Sequence, residues 1–346
     1  MAHPEIHPWR KEPGPRVSGD RPLDSAKVQA PCIVRAPEGG FRLFYTAVGP
    51  GKPFPRCQGY LLSAVSEDGL VFTEEPGIRL APQPELDHVS LRVLAPSIAP
   101  CSGGWRMYFE GRGPASRPPV ICSAVSTDML HWELEEGIRL QNLGGLGGPR
   151  YLPLAQGGRL FCCSREFGPG GRLAGPKLST SVISARTLDG LHFDIEPGYR
   201  LRDGQSDWDG AGITAAEAIV PLADGPWTLI YSAWQDVPPG TQVPPHPSQD
   251  PAAEGSLDFA AFSIASDLAG YRSRIFVAHS GDGLSWEAGQ CIVEGGGYQS
   301  ADLDGVHAED MSVIALDDGR YRMYYAACDR AGNWRIASAV NEEGRA

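Results

Sequence analysis

Phe72 to Leu80 reads FTEEPGIRL, Trp132 to Leu140 reads WELEEGIRL, and Phe193 to Leu201 reads FDIEPGYRL. Each begins with an aromatic residue, runs through an acidic patch to a glycine five positions on, and ends in Arg-Leu. A fourth copy, WEAGQCIV from Trp286, is one residue short. Just upstream of each stands one kind of turn, SEDGL, STDML, TLDGL and SGDGL, marked by Asp68, Asp128, Asp189 and Asp282. Asp-Gly turns of this kind close tight hairpins. The markers are 60, 61 and 93 residues apart, and a proline-rich insertion around DVPPGTQVPPHPSQDP accounts for the longer last step. The repeating unit is therefore about 60 residues.

Ahead of each turn lies an alternating run (GYLLSAVS, VICSAVS, SVISARTL, RIFVAHS, WRIASAV), and ahead of that an aromatic run such as FRLFYTAV, WRMYFEG, RLFCCSRE, WTLIYSAW or YRMYYAAC. A period of two marks these as strands. Short apolar segments come first in each unit: APCIVRA, APSIAP, PRYLPLA, AEAIVPLA and DMSVIALD. Each unit thus holds four strands, A to D, the pattern of a propeller blade. The fifth unit ends at NEEGRA without its fourth strand, but WRKEPGPRV (Trp9 to Val17) carries the same aromatic, acidic, glycine and Arg spacing. The expectation is an all-β, five-bladed β-propeller of four-stranded antiparallel blades over 1–346, a single domain whose N-terminal strand completes the last blade and closes the ring. A β-solenoid or a pair of sandwiches would also use many short strands, but neither explains why the two ends complement each other. An insertion at about 235–271 belongs to the fourth blade, as a lid or a dimer contact; the oligomeric state stays open.

Composition agrees with a loop-rich β globule, with 31 prolines and 43 glycines among 346 residues and 42% hydrophobic residues. A net charge of −12 with no basic stripe argues against nucleic acid as a partner. No stretch approaches the length needed to span a bilayer, and the start, MAHPEIHPWRKEPG, has no apolar signal core, so the expected location is cytoplasmic and away from membranes. The eight cysteines show no C-x-x-C spacing and several lie in strand-like runs, which reads as reduced core thiols.

In a propeller the A strands line the central channel, and the loops from D to the next A and from B to C open on one face. That face gathers the polar residues. Blade one offers Asp24 and Lys27, blade two Asp87 and His88, blade three Arg150 and Tyr151, and blades four and five the related stretches DGQSDWDGAGITAAEAIV and YQSADLDGVHAEDMSVI, with Asp209, Glu217, Asp304, His307, Glu309 and Asp310. B-strand ends add Glu110 and Arg112 in YFEGR, Arg165 and Glu166 in CCSREFG, and Trp234. Carboxylates converging on a funnel beside flat aromatic faces suit sugar chemistry, and arginines among them suit an anionic group. Asp304 and the other D-x-D-G aspartates equally suit a turn-capping role, and a loop histidine such as His88 or His307 equally suits a single structural hydrogen bond. Strand alternation places Glu309 and Asp310 on opposite faces, so at most one of the two should face the channel. The repeated S-x-D-G aspartates and D-strand aromatics read as structural. No nucleophile elbow, phosphate loop, H-E-x-x-H or dinucleotide fingerprint is present, and no metal ligand set is assigned, although Ca²⁺ in the central channel would find the hard oxygen donors it prefers.

Five units, the aromatic B strands and the S-x-D-G turns followed by a Trp together resemble the five-bladed propeller glycosidases, the arabinanase, xylosidase and invertase-like superfamily that is similar to glycoside hydrolase family 43, and within it the uncharacterised members. The resemblance covers essentially the whole chain. It implies three channel carboxylates: a base and a pKa-tuning Asp on early blades, and a Glu acid on a later one. Here QAPCIV and LAPSIAP carry Ala30 and Ala95 before the prolines where acids would stand, and GPRYLPL carries none. The expectation that follows is a glycosidase-like hydrolase of a small glycoside or oligosaccharide, with Glu217 as general acid, Glu309 or Asp310 activating water, and Asp87 or Glu110 tuning charge. The alternatives are a propeller repurposed as a lyase, a cyclase or a carbohydrate-binding protein, and a protein-interaction scaffold.

Overall fold

The structure, a computed structural model, describes residues 8–114, 116–165, 180–204, 212–219, 226–236 and 271–342. Twenty strands form five four-stranded antiparallel sheets. Blade one is β2 (Lys27–Arg35), β3 (Phe41–Val48), β4 (Tyr60–Ser66) and β5 (Thr73–Glu74). Blade two is β6 (Arg92–Cys101), β7 (Gly104–Arg112), β8 (Val120–Ser126) and β9 (Glu133–Leu134), and blade three is β10 (Leu146–Pro153), β11 (Gly158–Arg165), β12 (Thr180–Thr187) and β13 (Asp194–Ile195). Blade four is β14 (Gly212–Ile219), β15 (Trp227–Asp236), β16 (Tyr271–Ser280) and β17 (Glu287–Val293). Blade five takes β18 (His307–Ala315), β19 (Tyr321–Cys328) and β20 (Trp334–Asn341), and its outer strand is β1 (Trp9–Lys11), paired Trp9 to Asn341 and Arg10 to Val340. The N-terminal strand thus closes the ring as its spacing indicates, and Val17 bridges Ile336 as the last residue of the same signature. Among the described residues no helix is long and apolar enough to cross a membrane, and all eight cysteines are free thiols.

The repeated signature performs two tasks. Its acidic residue sits one position beyond the outer strand and accepts from one Arg on the second strand and one Ser on the third: Glu75 from Arg42 and Ser63, Glu135 from Arg106 and Ser123, Glu196 from Arg159 and Ser184, Glu12 from Arg322 and Ser338. Four blades are therefore laced across their sheet by the same buried charge network. The aromatic residue reaches the neighbouring blade: Phe72 meets Tyr324, Trp132 meets Phe44, Phe193 meets Tyr108 and Trp286 meets Phe161, all edge to face with centroids 5.7 to 6.2 Å apart. Each pair contributes about 0.5–1.5 kcal/mol beyond its buried area.

The hydrophobic core is accordingly divided among the blade interfaces. One cluster joins blade five to blade one through Tyr324, Trp334, Tyr45 and Leu62; others join one to two, two to three, three to four, and four to five. Second-strand donors also grip the next blade's turn, as in Tyr108 Oη to Gly190 O at 2.9 Å and Tyr324 Oη to Gly69 O at 2.7 Å. Within those turns, Asp68, Asp128, Asp189 and Asp282 each accept from two backbone amides, the structural role expected of them. The inner strands β2, β6, β10, β14 and β18 ring the channel, which sets five equivalent positions around one axis.

Candidate functional site

All five inner strands are interrupted by a bulge at the same height. The register shifts between Gln29 and Cys32, Leu94 and Ser97, Gly147 and Arg150, Ile213 and Ala215, and Glu309 and Ser312. The inserted residue is left-handed in four of them: Ala30 (φ 48°), Ala95 (φ 53°), Gly148 (φ 57°) and Asp310 (φ 52°). Only glycine adopts this conformation freely, so Ala30, Ala95 and Asp310 hold it at a cost of about 1–2 kcal/mol each. Side chains on the preceding blade hold the freed amides. The Ala95 N–H donates to Thr46 Oγ1 (2.9 Å), the Gly148 N–H to Glu110 Oε2 (3.2 Å) and the Asp310 N–H to Ser232 Oγ (3.0 Å). Bulges re-aim side chains, and these aim five residues into the channel.

Arg150 crosses the channel at this level. Its guanidinium donates to Pro31 O (3.0 Å), Pro96 O (2.8 Å), Pro149 O (3.3 Å) and Met311 O (3.1 Å), carbonyls on four strands of the ring. Burial of a permanent cation requires such saturation. The channel is thereby divided into two cavities.

The first, of about 100 Å³, is lined by the bulge residues Ala30, Ala95, Gly148, Thr214 and Asp310, and by Gln29, Glu110, Arg112, Arg165, Trp234 and Glu309. Asp310 is half-buried. Its carboxyl is pushed up to about 6, chiefly by burial, with the Glu110 carboxylate adding to the push and Arg150, Lys27 and the Thr214 hydroxyl opposing it. Glu309 is buried and accepts a hydrogen bond from Trp234 Nε1 at 2.7 Å. Glu110 is buried, accepts from Arg112 Nε, and lies so close to Gly147 that a Cβ there would stand 2.5 Å from Oε2. Burial pulls the Arg112 guanidinium well below its ordinary value; Glu110 opposes this, and the like charges of Arg165 and Arg92 reinforce it. Among the described residues no group of three or more His, Cys, Asp or Glu is arranged to hold a metal ion.

The expected site residues do not all meet in one cavity, and one expectation, the separation of Glu309 from Asp310, requires correction. Alternation would separate Glu309 from Asp310, but the bulge inserts a residue and both line the first cavity. Glu217, expected as the acid, lines the second cavity, of about 280 Å³, with Cys32, Tyr151 and Tyr321. Its Oε2 is 3.5 Å from Arg150 Nε, which stands between it and the carboxylates of the first cavity, and burial raises its carboxyl above the usual range. Asp24, Asp87, His88, Asp304 and His307 do not line the first cavity. Asp24 is buried against Arg21 and Tyr45 Oη (3.1 Å), and Asp304 occupies the same place in blade five, accepting from Tyr325 Oη (2.9 Å) and pairing with Lys11. Asp87 is exposed and pairs with Arg117 at 2.7 Å. His88 is half-buried in a short 3-10 turn, and burial lowers its pKa. His307 is buried, stacked on Trp334, with Nδ1 3.1 Å from Ser273 Oγ and 4.0 Å from Glu309. Glu166, Asp209 and most of the insertion at about 235–271 lie outside the described residues.

Sequence reading missed the role of Arg150, although an arginine inside an otherwise apolar channel strand, GPRYLPL, is the signal that marks it. It also missed Gln29 and Thr214, which carry no local signature and are recruited by their position around the axis.

No family model matches this chain, and no curated protein matches it. Among solved structures, a glycosyl hydrolase from Bacteroides ovatus is similar over 98% of this chain and 95% of its own, at TM-score 0.65 and 13% identity. A family 117 glycoside hydrolase from Zobellia galactanivorans is similar over 97% and 91%, at TM-score 0.61 and 11% identity. An N-acetylgalactosamine deacetylase from F. plautii, in complex with blood group B trisaccharide, is similar over 96% and 95%, at TM-score 0.62 and 15% identity. The structural neighbours include five-bladed propellers of the glycoside hydrolase type, and at these identities the likeness establishes the shared fold.

Proposed function

We propose that the chain is a glycosidase-like hydrolase acting on a small glycoside in the first cavity, with Asp310 as general acid and Glu110 as the carboxylate that activates water or attacks carbon. One observation carries the reading. Asp310 occupies, on blade five, the channel-facing bulge position that Ala30 and Ala95 leave without an acid on blades one and two. There its carboxyl holds a proton up to pH about 6, where a general acid is useful.

Glu110 stands on blade two, which is not adjacent to blade five in the ring, so a bond between them would be flanked by both groups. The Arg112 pair and the Gly148 amide fix its direction. Protonation by Asp310 releases the leaving alcohol as the sugar develops oxocarbenium character. Glu110 either takes a proton from the incoming water, at a carboxyl separation of about 6.5–9.5 Å, or bonds the anomeric carbon, at about 5–5.5 Å. Glu309, held by the Trp234 N–H, contributes negative potential beside the developing positive charge. The narrowness of the cavity supports binding of one terminal ring. The trisaccharide bound by one fold neighbour supports a sugar as the ligand.

The test is a panel of aryl glycosides and short oligosaccharides assayed by reducing-end release against wild type and Asp310→Asn. The reading expects turnover that falls as pH rises through about 6 and is lost in the variant. A second reading, a sugar-binding or non-hydrolytic propeller, is favoured by the alanines at positions 30 and 95. It expects sugar-dependent thermal stabilisation with no product from any member of the panel.

A further inference from the structure

The first cavity has two chemically different walls. Blade five supplies Glu309 and Asp310, whereas blades two and three supply two arginines at equivalent positions, with Glu110 of blade two beside them. Arg112 lies two residues beyond Glu110, which pairs with Leu94 just before the blade-two bulge; Arg165 lies two residues beyond Cys163, which pairs with Gly147 just before the blade-three bulge. The corresponding positions of blades one and five are Val48 and Cys328. The propeller's pseudo-symmetry therefore sets two guanidiniums side by side at one height on adjoining blades, and Arg92 lies across the ladder from Arg112. The like charges act on one another: Arg165 and Arg92 both lower Arg112. Glu110 pairs with Arg112 and acts on Arg165, so one carboxylate is shared among these guanidiniums, and a bound oxyanion would add a second negative charge on this wall.

We propose that the substrate is an anionic sugar, a hexuronate-type residue whose carboxylate seats on Arg112 and Arg165. The proposal rests on the reading of this cavity as a sugar site and specifies its ligand. Planar guanidinium forks suit a carboxylate, which they can bind through paired N–H donors. The carboxylate on the blade-two and blade-three wall leaves the rest of the sugar ring directed across the cavity towards Asp310.

The experiment is calorimetric titration of the full chain at pH 5.5 and low salt with D-galacturonate and D-glucuronate, each against its neutral partner, D-galactose or D-glucose. The expected result is at least about tenfold tighter binding of one hexuronate than of its neutral partner. That preference should shrink at high salt, drop about tenfold in Arg165→Gln, and recover in part in Arg165→Lys, with melting curves confirming folded variants. The salt series on wild type tests the idea even where a variant fails to fold. Equal binding of acidic and neutral sugars, or preference for the neutral one, overturns the proposal. Turnover of a neutral glycoside without hexuronate binding also overturns it while leaving the hydrolase reading intact, because binding and hydrolysis are read separately.

Discussion

Asp310→Asn should make the protein more stable at pH 8 and inactive. Its carboxyl stands at about 6 in the folded chain against an ordinary value of 3.8. A raised carboxylate disfavours the folded state once the group ionises, so the penalty is absent below pH 3.8, grows between there and about 6, and is constant above. A difference of about two pKa units corresponds to about 3 kcal/mol at 1.36 kcal/mol per unit. Asn preserves shape and an acceptor for the Thr214 hydroxyl but never carries the charge. With unfolding entropy near ~2.1 cal/mol/K per residue, that energy corresponds to a rise of about 4 °C in Tm for a chain of this length. The assay is differential scanning fluorimetry of both proteins at half-unit steps from pH 3.5 to 8.5. The two curves should coincide at the acid end, diverge between pH 4 and 6, and run parallel above. A variant less stable at pH 8, or a gap independent of pH, would refute the account of Asp310 as an enclosed carboxyl whose charge the fold resists. Such stabilisation with loss of turnover is the signature of a functional group held against stability.

Other outcomes follow from the same geometry. Glu110→Gln should lower kcat by about 10²–10⁴-fold in the hydrolysis assay with a cooperative melt retained. Glu217→Gln should keep most of the wild-type kcat, since Arg150 separates its cavity from Asp310; loss of turnover as deep as in Asp310→Asn would place the acid in the second cavity instead. Arg150→Met leaves the carbonyls of Pro31, Pro96, Pro149 and Met311 without their donor and should cost at least about 3 kcal/mol in urea unfolding. Removing residues 1–17 uncovers the edge of β20, and sedimentation should then show concentration-dependent association together with a lower Tm.

The blade count, the strand order and the ring closure were legible because each rests on a local, repeated cause. A tight turn needs its own aspartate, and a D strand needs an aromatic for the preceding blade and, in four of the five blades, a glutamate for its Arg and Ser partners, so the same signature recurs along the chain with a shortened copy in blade four. Trp9 to Val17 could be matched to blade five for that reason, at a distance of more than 300 residues in sequence. The polar residues of the channel face were also visible as a set, and Glu110, Arg112, Arg165, Trp234, Glu309 and Asp310 all line the first cavity.

What sequence could not sort was that set itself. Strand alternation assumes an uninterrupted ladder, and the bulges that break it are written in four ways across the five blades: Ala-Pro twice, Gly-Pro once, a single Thr, and Asp-Met. Their common height appears only once five strands stand around one axis. The same holds for Arg150, which bonds carbonyls contributed by residues up to 161 positions away, and for Glu217, which that guanidinium separates from the acids of the first cavity. The sequence by itself determined the architecture, because repeated short-range contacts build a blade. The tertiary structure alone decided which carboxylates share a cavity, because that depends on where non-repeating side chains from different blades meet.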